Sequence, residues 1–533
     1  MIPAENNGQP GRGFSLDVQG NTAFLQVFNY EKSGAATFHT AVGQLDNSAS
    51  MTVPLLRFKG GRSFGGPAQD AVEDGNAGQV TVKFTDGLNG TVQFPGESEQ
   101  PIARFLINQK LPFWWTQASG NPPVGKRGGM VFHWHATAAD GSRQTWTSTL
   151  EGDADGNLKL SATPGIYPGG FSWAGFYHYL NCRMETSTQV IDCTPGDPPE
   201  IELPASALPD IARVRFRVLG RDVVGVVQPL SNPRQRWTLN GWTQGSYSCK
   251  EPCMNSSQGT ARIYIARELR PGDCITGGCS GYDRVVIQPT SGAWMIEEEN
   301  TGKPGRGIFL DVQDDTIIVQ TSDYLSNGEP TFHLGTGSLN PTATSTSDTT
   351  AATPLILNEG GRYFGGPAQS GKEVATAGPV SLGFSRYIPG AVSEITDFGY
   401  GSIALPSETR KVMRRLNMDG DNSTMNYFLG EYFFSWYTRE ENVSPYVRLS
   451  RVDGLFVTNE DGTVQCYRAR PTTLRCALLP SNNINQPWTG SADINIRPFD
   501  RGPEEGDLIL RTRDRHGNWL GLGAVNLPGL VIP

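Results

Sequence analysis

Charged residues make up only 18% of this 533-residue chain, and no long run of one sign occurs. The densest basic stretch, Arg410-Lys411 with Arg414-Arg415, is short, and the formal charge is −9. Such a surface has no counterion-release drive toward nucleic acid or anionic lipid, so no nucleic-acid partner is expected. No run reaches the ~20 apolar residues of a membrane helix, so no membrane span of that kind is expected. The chain does not open on a basic-then-apolar leader, and an exported protein would have its signal peptide already removed from this numbering. Nucleophile signatures are missing as well: there is no GxSxG elbow, HExxH, P-loop or CxxCH. The chain therefore reads as a non-enzyme. A carboxylate pair for glycoside hydrolysis stays open, because its members need not be close in sequence.

What is plentiful is glycine (64) and proline (37), with 10% aromatics and many β-branched residues. That mixture suits short strands and tight turns. Phe14, Leu16 and Val18 alternate with Ser15, Asp17 and Gln19, the period of a strand with one buried face. "TAFLQVFNY" follows as a strand buried on both faces. Asp-Gly pairs at 86–87, 140–141, 155–156, 453–454 and 461–462 mark hairpins. Only "PSETRKVMRRLNM", Pro406 to Met418, reads as a helix, with Ser407 as its N-cap. The fold class is all-β: tandem antiparallel barrel or sandwich modules.

Those modules are written twice. "MIPAENNGQPGRGFSLDVQG" (Met1 to Gly20) matches "MIEEENTGKPGRGIFLDVQD" (Met295 to Asp314) at 13 of 20 positions. "ATFHTAVGQL" then matches "PTFHLGTGSL", "GGRSFGGPAQ" matches "GGRYFGGPAQ", and "GQVTVKF" matches "GPVSLGF". The period is that of a domain duplication, not of a solenoid. The expected division is β modules at 1–118 and 119–235, a Cys-containing linker or subdomain at 236–293, and the repeated modules at 294–418 and 419–533. The second copy is preceded by "YDRVVIQPTSGAW", whereas the first starts at Met1. If that strand-like run completes the second module, the first offers a place for a neighbour's strand.

The succession GRGxxLDV, TFHxxxGxL, GGRxFGG and GxVxxxF resembles a β-rich repeat of proteins secreted by Gram-negative bacteria. The resemblance covers the opening part of each unit. It implies export and an all-β fold, and it carries over no catalytic residue.

The eight cysteines fall into local pairs: Cys182/Cys193, Cys249/Cys253, Cys274/Cys279 and Cys466/Cys476. They are read as disulfides, the first and last pairs each stapling a short hairpin, a contribution of roughly 3 kcal/mol for a loop of that length. Free thiols and zinc are the alternatives, but CxxxC followed by CxxxxC without histidine is a poor zinc signature. Disulfides point to a secreted, extracellular or cell-surface protein.

Histidine is scarce, six in all. His39 and His333 are repeat mates, each following a Phe, so they would face outward or into a neighbouring domain if Phe38 and Phe332 are core. With Arg12, Arg62, Arg306 and Arg362 they form the candidate binding set, satisfied structural roles being the alternative. Arg12 and Arg306 have Asp17 and Asp311 as expected partners. His133 and His135, two apart on a strand, with His178 as a third ligand, are a candidate metal site. "DADGN" (Asp153 to Asn157) and "DGDN" (Asp419 to Asn422) are candidate calcium loops, with plain hairpin turns as the alternative because no bidentate Glu follows. No other cofactor is expected. Trp114-Trp115, Trp134, Trp173 and Trp242 are candidate sugar-stacking platforms, or core aromatics. The leading expectation is a non-enzymatic protein that self-associates into an extracellular filament, sheath or surface layer. Carbohydrate or small-ligand binding comes second, and metal-dependent hydrolysis third.

Overall fold

A computed structural model describes residues 1–107, 126–138, 143–152, 158–164, 179–196, 210–250, 262–265, 284–385 and 400–418, with short breaks inside these spans. Beyond 430 it describes the strands given below with their adjoining turns. Among the described residues there is no α-helix, only 3-10 turns at Pro3–Glu5 and Glu297–Glu299. The fold is all-β.

The first sheet is a seven-stranded meander: β1 (Gly13–Gln19), β2 (Thr22–Tyr30), β3 (Ala36–Gln44), β4 (Ser50–Lys59), β5 (Val72–Phe84), β6 (Asn89–Gln93) and β7 (Gln100–Ala103). The alternation in β1 fixes its register, with Leu16 opposite Leu25 and Val18 opposite Ala23. Ala23, Leu25, Val27, Val80 and Val82 are fully buried in the module core. The turn at Asp86 closes on itself, its carboxylate accepting the N–H groups of Leu88 (2.8 Å) and Asn89 (3.0 Å).

The second sheet holds β8 (Lys126–Thr137), β9 (Arg143–Gly152), β10 (Leu158–Pro164), β11 (Tyr179–Glu185), β12 (Val190–Pro195), β13 (Arg213–Leu219), β14 (Asp222–Gln228) and β15 (Trp237–Lys250). Because β15 pairs with both β14 and β8, these eight strands close into a barrel. β16 (Arg262–Ile265) and β17 (Arg284–Ile287) extend the sheet beyond β15. Segment 236–293, expected as a Cys-containing linker or subdomain, supplies β15, the strand that closes this barrel. Trp134 stacks on Trp146 with centroids 4.5 Å apart, and its indole donates to Ser148 Oγ at 2.6 Å. Trp134 is a core residue and not a sugar platform. Cys182 and Cys193 face each other across β11 and β12 and form a disulfide.

The third sheet repeats the first: β18 (Gly292–Ile296), β19 (Gly307–Gln313), β20 (Thr316–Tyr324), β21 (Pro330–Ser338), β22 (Asn340–Pro341), β23 (Asp348–Glu359), β24 (Lys372–Ser385), β25 (Tyr400–Ala404) and β26 (Lys411–Arg415). Here β18 lies between β19 and β26, and β21 meets β23 at Leu334 and Ile356, so eight strands form a ring. The helix expected over 406–418 is instead a turn followed by β26. Ser407 has φ 61°, outside the extended region that an N-cap requires. Met413 is buried in the core of this sheet and Arg415 is buried against Asp17 of the first, and closing the ring outweighs local helix preference.

The fourth sheet is built from β27 (Gly430–Phe433), then, after a separate pair β28 (Trp436–Tyr437) and β29 (Asn442–Val443), from β30 (Tyr446–Asp453), β31 (Phe456–Asn459), β32 (Val464–Arg470), β33 (Thr473–Leu478), β34 (Gly490–Ile496), β35 (Gly506–Arg513) and β36 (Trp519–Asn526). Cys466 stands opposite Cys476 in the register and is disulfide-bonded.

Candidate functional site in the clasp between twin modules

The first and third sheets, the twin modules, pack on each other with reciprocal contacts. The repeated motifs supply many of them. Gly60 N–H donates to Gly328 O, and Gly360 N–H donates to Gly34 O, each at 2.8 Å. Ala71 N–H reaches Pro304 O, and Gly371 N–H reaches Pro10 O. Such an exchange, with the same patch used on both partners, is the pattern of a two-fold dimer, here written within one chain.

Arg12 lies at the centre of one cluster. It donates bidentately to Glu5 (3.0 and 2.7 Å) and to Glu97 (2.6 and 2.6 Å), and its guanidinium sits 5.0 Å from the Phe94 ring centroid. Arg362 arrives from the other module and donates to Glu5 Oε1 at 2.7 Å. Arg306 mirrors Arg12 with Glu299 (2.8 and 2.7 Å) and Glu408 (2.6 and 2.6 Å), and Arg62 arrives from the first module to Glu299 at 2.9 Å. The arginines do meet carboxylates, but not Asp17 or Asp311. Asp17 pairs instead with buried Arg415 of the twin and accepts the Ala293 N–H at 3.0 Å.

Burial alone disfavours the Arg12 guanidinium, but its hydrogen bonds to Glu97 and Glu5 prevail and hold it above the ordinary value. The same balance holds for Arg306. Burial pushes Glu97 and Glu408 up, and the Arg12 and Arg306 donors outweigh it, leaving both carboxylates below the usual range. Lys411 joins the second cluster only, 3.1 Å from Glu299. In each cluster the charges face opposite charges at close range.

The GGRxFGG loops complete the clasp. A Cβ on Gly61 would stand 2.1 Å from the Tyr324 ring, and one on Gly361 would stand 2.1 Å from Tyr30, so only glycine fits beneath the partner's ring. Phe364 inserts against Phe94 of the first core at 5.3 Å, and Phe64 packs on the twin core. His39 and His333 are both buried in this interface, ring to ring with Phe364 (5.2 Å) and Phe64 (5.0 Å). His333 Nδ1 is 2.9 Å from Asp323 Oδ1, and burial raises the Asp323 pKa against the opposing pull of His333. Asn29 occupies the matching place beside His39. Burial, then Arg57, lowers the His39 pKa from 6.5 to about 4.

The structure thus gathers all six candidate binding residues into one interface, turned toward protein. The partners Glu5, Glu97, Glu408, Tyr30 and Tyr324 were not singled out from sequence, although the repetition of Glu5 as Glu299 and of Tyr30 as Tyr324 was a signal for some of them. The side chains of His133, His135, Cys249 and Cys476, and the whole of His178, Cys253, Cys274, Cys279, both candidate calcium loops and Trp114, Trp115 and Trp173, lie outside the described residues. The side chain of Trp242 does too. Among the described residues no cluster of three or more His, Cys, Asp or Glu side chains is placed to hold a metal, and no helix is long and apolar enough to cross a membrane. No family model matches this chain, and no curated protein matches it in sequence.

Proposed function

We propose that this protein is a secreted, non-enzymatic assembly protein, a building unit of an extracellular filament, sheath or surface layer. The observation that carries the reading is the reciprocal clasp. Its module recognises a copy of itself through buried ion pairs, inserted rings and exchanged main-chain bonds. The clasp is isologous and satisfied within one chain, so it builds a rigid two-module unit, and growth between such units would use a further, heterologous contact of the kind that extends into fibres. The disulfide on the β11–β12 hairpin fits an oxidising location. Carbohydrate binding has less support, since Trp134 is spent in a core. Light scattering across a wide concentration range, with electron microscopy of the same samples, tests the reading. Concentration-dependent assemblies are expected, and a monodisperse monomer throughout overturns it.

A further inference from the structure

The two interface histidines occupy matching places with unmatched surroundings. In the twin, His333 Nδ1 meets the Asp323 carboxylate of the neighbouring strand at 2.9 Å. In the first module the same diagonal joins His39 to Asn29, an amide. Asn29 lies opposite Thr37 and His39 opposite Val27, so Asn29, Thr37 and His39 share one face of β2 and β3. The bridge between Thr40 and Leu56 sets Arg57 of β4 beside His39, and its charge bears on the ring. The matching bridge in the twin, Leu334 to Ile356, sets Leu357 beside His333.

From the twin to the first module, the surroundings of the histidine exchange a carboxylate for an amide and a leucine for an arginine. The second exchange is plain in "LILNEGGR" (Leu355 to Arg362) against "LLRFKGGR" (Leu55 to Arg62). Both changes move the local charge toward positive. Asn29, Thr37 and His39 are only 2%, 2% and 3% exposed. Among the described residues, Asn29 Oδ1, Thr37 Oγ1, His39 Nδ1 and Arg57 Nε are buried without a hydrogen-bond partner. Buried polar groups left unpaired are costly, and four on adjoining residues call for a bound species.

A route to the site exists. The Arg57 side chain is 37% exposed and its Nη2 lies 3.5 Å from Glu31 at the surface, so the buried Nε is the inner part of a side chain that reaches solvent. Phe364 of the twin lies against the His39 ring, with centroids 5.2 Å apart. Water would satisfy the four atoms but would leave the change of charge unanswered. An anion answers both. Arg57 Nε–H and the Thr37 hydroxyl donate to it, and neutral His39 donates when its one ring proton sits on Nδ1. A half-turn of the Asn29 amide brings Nδ2 to the place of Oδ1. Hydrogen bonds to an ion are the stronger kind.

We propose that the first module binds a small monovalent anion of halide size among Asn29, Thr37, His39 and Arg57, where the twin carries the Asp323 carboxylate. The anion takes the part of that carboxylate. Because Phe364 of the twin lies against His39, occupancy of the site also stabilises the clasp. The site stands independently of the assembly reading.

The test is thermal unfolding of the full chain in sodium bromide and, at equal ionic strength, in sodium gluconate, whose anion is too large for the site. A saturable rise in Tm in bromide alone is expected. Crystals grown in bromide should show its anomalous signal within hydrogen-bond reach of Arg57 Nε and Thr37 Oγ1, and none beside His333. Asn29→Asp combined with Arg57→Leu rebuilds the surroundings of His333 around His39. That variant should fold, as the twin does with the same set, and should lose the bromide-dependent rise. Arg57→Leu alone should weaken bromide binding roughly tenfold, since one charged donor is lost. Equal behaviour in bromide and gluconate overturns the proposal. So does an undiminished bromide effect in either variant, or water in place of bromide at the site.

Discussion

Val18 and Val312 occupy the same place on β1 and β19, yet one is 36% exposed and the other 1%. A few residues away, Arg12 and Arg306 occupy matching places and are equally enclosed, each with its two carboxylates. The first module and its twin therefore differ in barrel closure and agree in the clasp. The clasp residues lie away from Val18: they come from the GRG and GGRxFGG loops, from the 3-10 turns that carry Glu5 and Glu299, and from Glu97 and Glu408. What the duplication repeated most faithfully in sequence is thus the surface by which the modules hold each other.

The sharpest way to break that agreement is to remove a central arginine. Arg12→Ala leaves Glu5 and Glu97 facing only Arg362, and losing one partner of a buried pair costs about 3–5 kcal/mol. Arg306→Ala should cost less, since Lys411 stays within 3.1 Å of Glu299 as a further cation. Thermal unfolding of the two variants measures the difference, and equal losses would contradict the role given to Lys411. Lysine should rescue neither, because one ammonium cannot replace two forked contacts.

A smaller effect comes from the glycine beneath the ring. Gly361→Ala puts a methyl where the Tyr30 ring lies, and overpacking at that distance costs about 3 kcal/mol. Gly61→Ala should match it through Tyr324. The second substitution Tyr30→Leu should recover part of the loss in Gly361→Ala and none in Gly61→Ala, as read by urea unfolding. Recovery in both would mean that the two halves of the clasp are not separate contacts.

Much of this was legible in the sequence. The period-two alternation of Phe14, Leu16 and Val18, and the Asp86-Gly87 turn, predicted strands and a hairpin that the structure has. The repeated phrases marked the twin modules. The helix at 406–418 failed because local propensity was read without the repeat. Its counterpart in the first copy, "GESEQPIARFLI", carries Pro101 and could not be an internal helix of the same kind. The clasp was legible only as residues, not as pairs. Two copies with the same words give no sign that Arg362 reaches Glu5, 357 positions away, and not Glu299 of its own copy. Glu97 meets Arg12 only through the register of seven strands, which no local pattern contains.

The smallest expected effect separates the two interface histidines. His39 Nδ1 has no hydrogen-bond partner, whereas His333 has Asp323. With a folded pKa of about 4 against 6.5, His39 stays neutral while the unfolded chain takes up a proton. Stability present above pH 6.5 is then lost as pH falls toward 4, by about 2 kcal/mol at pH 5. Asn29→Asp gives His39 the partner its twin has, so the folded ring keeps its proton and the loss between pH 7 and pH 5 should shrink. An added carboxyl whose pKa is raised by burial acts in the same direction, since it too favours the folded state at lower pH. Unfolding at pH 7 and pH 5, with the His39 ring titrated by NMR, provides the measurement. If Asn29→Asp leaves the acid sensitivity and the His39 titration unchanged, Asp323 is not what distinguishes the two sites.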